Sequence, residues 1–115
     1  MQTQKILNIL TYKEFQKLLE ERFDKTRETY SRKMNEYATD LDVFKSFKEG
    51  VGFSFHNTPE GVAWEYACKH LESIKTIISK CPEEVPTDEL LEEKIGDAIN
   101  YLIILEGLIK ERGDN

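Results

Sequence analysis

The sequence predicts an all-α fold, an antiparallel helical bundle of three long helices and one short helix, and three observations carry that prediction. Glycine and proline number only 6 and 3 in 115 residues, so few positions interrupt a helix. Apolar residues recur at three- and four-residue intervals through most of the chain. Helix starts are written in side chains that can cap free amides, at Thr11, Thr58 and Thr87.

The length suits one domain with one continuous core. Residues 1–10, MQTQKILNIL, are expected to form an N-terminal extension, and residues 11–113 the bundle. Thr11-Tyr12-Lys13-Glu14 has the form of a capping box, with Leu10 and Phe15 placed to staple across it. Phe15, Leu18, Leu19, Phe23, Tyr30, Met34 and Tyr37 then keep helical spacing, which predicts a first helix from about Tyr12 to about Tyr37.

A short second helix is expected in LDVFKSFKE, capped by Thr39 or Asp40 and stopped at Gly50. GVGFSFHN reads as a loop with a brief extended piece at Phe53 to Phe55. Thr58-Pro59-Glu60 opens the third helix, because Thr caps, Pro suits the first turn and Glu favours the positive end of the dipole. Cys81-Pro82 ends it. The fourth helix starts at Thr87-Asp88-Glu89 and stops at Gly113, with Lys110 and Arg112 near its negative end.

A net charge of -6 opposes the broad basic surface that duplex nucleic acid requires. No stretch approaches the ~20 apolar residues needed to span a bilayer, and the start is too short in apolar residues for a secretory signal. Cys68 and Cys81 form no CxxC pair, so reduced thiols in a cytoplasm are expected.

The informative residues are polar ones on apolar faces. At 100° per residue, Lys94 and Asp97 fall within or beside the apolar arc of the fourth helix, near Tyr101, and His70 falls near the centre of the arc of the third. Charges there need partners. Two readings meet the need. In one, Lys94 pairs with Asp97 while His70 bonds Tyr101 or Ser73, all fixing helix register. In the other, these groups line a concavity between the third and fourth helices that receives a nucleotide or another phosphate anion. Lys69 and Lys94 would contact phosphate, Asp97 would orient Lys94 or a metal, and Asn100 and Tyr101 would read polar edges or stack beside His70. Glu36 and Asp40 would arrive from the preceding loop.

Glu93 and Asp97 share a helical face, and Glu65 and Glu72 lie on one side of the third helix, so Mg²⁺ could be held between facing helices. Acidic pairs at this spacing also occur on ordinary solvated faces. No HExxH, phosphate-binding glycine loop or GxSxG is present, and Cys68 and His70 are two apart on a helix and do not face each other.

Three segments, NEYATDLDVFKSFKEG, TPEGVAWEYACKHLESIKTII and EKIGDAINYLIILEGLI, resemble a family of small phage-encoded proteins of unknown function, described as a nucleotide-modification-associated domain. The resemblance runs from about Glu36 to Ile109. It implies a cytoplasmic protein of a bacterial host. More distantly the chain is similar to MazG-type all-α nucleotide pyrophosphohydrolases, whose ExxE and ExxD motifs gather Mg²⁺ around a triphosphate. Asp97 would match the Asp of the second motif, but Lys94 stands where its Glu belongs, and Lys69 and Glu72 occupy the spacing of two Glu in the third helix. These reversals favour binding over hydrolysis. The other expectation is a helical accessory protein that binds a host or phage protein through its acidic surface and aromatics such as Trp64, and part of an apolar helix face is expected to pair copies into a homo-oligomer.

Overall fold

The computed structural model describes residues 9–36, 44–51 and 56–113, with the backbone alone described at 33–36 and 46. Its secondary structure is α1 (Tyr12–Glu36), α2 (Lys45–Gly50), α3 (Pro59–Lys80) and α4 (Asp88–Gly113), and no strand occurs among the described residues. The protein is all-α, with three long helices and one short.

The three Thr residues cap as their sequence context suggests. The Glu14 amide donates to Thr11 Oγ1 at 3.1 Å and the Thr11 amide donates to Glu14 Oε1 at 3.3 Å, which closes the capping box. Thr58 Oγ1 accepts from the Gly61 amide at 3.1 Å with Pro59 in the first turn, and Thr87 Oγ1 accepts from the Leu90 amide at 3.2 Å. The expected extended piece at Phe53 to Phe55, and Asp40, lie outside the described residues.

α3 and α4 form an antiparallel hairpin, joined by the connector through Pro82 and Pro86. Small side chains let the two backbones approach: Ala63, Ala67 and Ala98 are buried, and Val62, Ile104 and Leu108 fill the space around them. Tyr30, Phe44, Phe47, Tyr101 and Leu105 pack onto the cluster of Ala63, Ile104 and Leu108. α2 seats on this hairpin, with Lys48 Nζ 2.6 Å from Glu111 Oε1. The long helices run up, down and up, so α1 lies beside α4 in the same direction. Arg22 bonds the main-chain oxygen of Glu92, and the Tyr30 hydroxyl bonds that of Asn100.

Because α1 starts ahead of its neighbour, Tyr12, Phe15, Leu18, Leu19 and Phe23 stay 40–82% exposed. The apolar arcs read from the sequence are therefore wider than the contacts that cover them.

Two further ion pairs among the described residues tie distant segments together. The Lys25 ammonium bonds Glu92 and the Arg112 guanidinium bonds Glu60, and each holds its carboxyl below the usual value of 4.5. An unfolded chain binds those protons at higher pH than the folded one, so the stabilisation is present above the ordinary carboxylate pKa and is lost as pH falls below it. Urea midpoints measured from pH 7 to pH 3 should drop, and Lys25→Met should flatten part of the drop. A midpoint indifferent to pH would show that the pairs contribute nothing.

Candidate functional site: a cleft between α1 and α4

A cleft of about 330 Å³ lies between α1 and α4, within the range that holds small ligands. α1 contributes Arg22, Lys25, Arg32, Glu28 and the hydroxyls of Thr26 and Thr29. α4 contributes Glu89, Glu92, Glu93, Asp97, Gly96 and Asn100. The α1 wall thus carries three cations and one carboxylate, and the α4 wall four carboxylates.

Several of these groups are already engaged. Lys25 is paired with Glu92, and Arg22 donates to the Glu92 main-chain oxygen at 3.1 Å. Arg32 has no ion pair or hydrogen bond among the described residues. Tyr30 does not line the cleft, but its hydroxyl donates to the Asn100 main-chain oxygen at 2.5 Å, while the Asn100 side-chain oxygen Oδ1 is buried with no hydrogen-bond partner among the described residues. An unpartnered buried acceptor costs roughly 1–3 kcal/mol and calls for a donor. Burial, with Tyr101 nearby, pushes the Tyr30 hydroxyl up to about 12. An unfolded tyrosine ionises near 10, so stability should fall as pH rises above that value, and Tyr30→Phe should remove this alkaline limb from a denaturation series.

The residues singled out in the sequence separate onto two sides of α4. On the α3 side, His70 Nδ1 is 3.7 Å from Asp97 Oδ2, and the His70 ring stacks on Tyr101 with centroids 5.0 Å apart and planes 16° apart. Tyr66 and Phe47 pack edgewise or tilted around Tyr101, and Lys69 Nζ sits 5.5 Å from the Tyr66 ring centre. Asp97 therefore takes His70 as its partner rather than Lys94. Lys94 is half-buried on α4 and makes no ion pair or hydrogen bond among the described residues.

On the α1 side, Glu93, Asp97 and Asn100 border the cleft, so Asp97 belongs to both environments. Glu36 ends α1, and Asp40 lies outside the described residues. Lys69 and Lys94 do not line this cleft; Arg22, Lys25 and Arg32 stand in the place the sequence reading gave to them. Positions 22, 25, 29 and 32 follow one another at helical spacing, which is the signal that could have marked this wall.

Among the described residues no group of three His, Cys, Asp or Glu comes together to hold a metal by itself. Glu93 and Asp97 border the same cleft, and that suits a Mg²⁺ brought in with phosphates, an ion that commonly binds through one or two carboxylates. No helix of the described residues is long and apolar enough to cross a membrane. No family model, curated protein or solved structure matches the chain.

Proposed function

We propose that the protein binds a nucleotide, or a closely similar phosphate-bearing molecule, in the cleft between α1 and α4, and that it does so without hydrolysing it. The observation that carries this is the placement along one cleft of Arg32, a cation with no partner among the described residues, and Asn100, whose buried side-chain oxygen has no donor among them. Phosphate oxygens suit the guanidinium, and an amino or hydroxyl group of a base or sugar suits the amide oxygen. The facing carboxylates favour a ligand that carries Mg²⁺, since a bare polyanion would meet Glu93 and Asp97 as like charges. Resemblance to small phage-encoded proteins of unknown function, described as a nucleotide-modification-associated domain, supports the same ligand class and a role as an accessory protein in the cytoplasm of a bacterial host. In the MazG-type resemblance Lys94 takes the place of the second motif's Glu, and although Lys94 lies outside this cleft, the loss of that motif supports binding over hydrolysis.

Thermal shift and calorimetry with purine and pyrimidine nucleotides, each with and without Mg²⁺, test the proposal. A nucleotide at 100 times its dissociation constant should add ~2.7 kcal/mol of stability. Arg32→Ala should weaken binding about tenfold or more, the equivalent of ~1.4 kcal/mol. Asn100→Ala should weaken binding while leaving stability nearly unchanged, because it also deletes the unpaired acceptor. Lys69→Ala should leave affinity alone, which separates this cleft from the α3–α4 interface. If no nucleotide raises the melting temperature under either condition, the proposal fails.

A further inference from the structure

The surface of the hairpin facing away from α1 and α2 is apolar, and no other described residue covers its large side chains, while Ala67 and Ala98 beneath them are buried and Leu105 is half-buried. On α3, Trp64, Ala67, Leu71, Ile74 and Ile78 follow one another at alternating spacings of three and four. On α4, Leu91, Ile95, Ala98, Leu102, Leu105 and Ile109 do the same over five intervals. Such spacing puts each set in one straight stripe along its helix.

The two stripes share one face. Taken at 100° per residue, each lies about 80° round from the line along which α3 meets α4, turned in the same sense. In an antiparallel pair, rotation in the same sense on both helices points to the same side. α2 meets α3 at Val62, and α1 meets α4 at Gly96 and Asn100, both on the other side. Exposure agrees: Trp64 is 47%, Ile78 65%, Leu102 43% and Ile109 56% exposed, with Leu71 and Leu91 near 40%.

We infer that this face is the interface of a homodimer, in which the hairpins of two copies close into a four-helix bundle. The area fits. Six large side chains about half exposed present on the order of 500 Å², near the upper limit for a patch on a monomer. The half-buried Ile74, Ile95 and Leu105 between them and the flanking side-chain stems bring each copy towards the ~800 Å² per partner of a stable interface. From Trp64 to Ile78 and from Leu91 to Ile109 neither stripe contains a charged residue, and Glu60 and Arg112, which continue the stripes at one end, are paired with each other, so closing the face buries no lone ion. A partner must supply two antiparallel helices with matching heptad stripes, and a second copy related by a two-fold axis supplies them. The α1–α4 cleft lies on the other side and stays open in the dimer.

Sedimentation or light scattering across a concentration series tests the inference. The wild type should run at twice its 13.5 kDa chain mass. Leu102→Glu with Ile109→Glu should halve that mass, as should Leu71→Glu with Ile78→Glu on the other stripe, with helical circular dichroism kept. Phe15→Glu, in the separate apolar run of α1, should leave the dimer intact. Trp64 fluorescence provides a readout without mutation: dilution through the dissociation range should shift emission to the red. A 13.5 kDa species at 100 µM, or a mass unchanged in both stripe variants, overturns the inference, as does Trp64 emission independent of concentration while the mass changes.

Discussion

Leu108→Ala should cost about 3.5 kcal/mol, the midpoint of what is lost when a buried leucine is cut back and its surroundings only partly collapse. Leu108 is 3% exposed and clusters with Ala63 and Ile104 where α2, α3 and α4 meet. The neighbours on the facing helix are small, so none of them can swing in to fill the space. For a domain of this size the loss corresponds to a fall in melting temperature of roughly 10–15 °C at fixed protein concentration. Leu91→Ala, at a position 40% exposed, should cost well under half as much in the isolated chain. If the two substitutions cost the same in a stripe variant held monomeric, the core does not lie where α2, α3 and α4 meet.

That contrast also marks where sequence reading succeeds and where it stops. The helix starts were legible because capping is local: Thr11, Thr58 and Thr87 each bond an amide three residues on. His70, Asp97 and Tyr101 were legible as a group because each sits on the inner arc of its helix, and an antiparallel hairpin brings those arcs together. The direction of Asp97 was not legible. Pairing with Lys94 three positions away on its own helix satisfies periodicity as well as pairing with His70 across the hairpin, and only packing chooses between them. The cations of the cleft were hidden for another reason. A helix with Lys or Arg at positions 22, 25 and 32 looks like any solvated face until α4 is laid beside it, and that contact joins residues 70 apart. The width of the α4 arc was visible, but its meaning was not: a stripe turned away from α3 looks in sequence the same as one turned towards it.

Gly107→Ala should destabilise the protein by about 1–2 kcal/mol although alanine is the better helix former by ~1 kcal/mol. A Cβ added at Gly107 would stand 2.6 Å from Phe44 Cζ and 3.5 Å from two further ring atoms. Phe44 precedes α2 and its ring packs on the central cluster, so the ring can retreat only if α2 moves with it. Gly96 provides the internal control. There the added Cβ would meet the Nη1 end of Arg22 at 2.7 Å, a flexible tip that can turn aside, so Gly96→Ala should be neutral or stabilising by up to ~1 kcal/mol. The two glycines share a helix and a residue type, and they differ in whether the obstacle is a ring held in the core or the end of a long side chain. Hydrogen exchange at Phe47 and Lys48, whose amides bond the Phe44 carbonyl, should quicken in Gly107→Ala and stay as in the wild type in Gly96→Ala. A stabilised Gly107→Ala protein with unchanged exchange there would mean that α2 is not seated against α4 at this point.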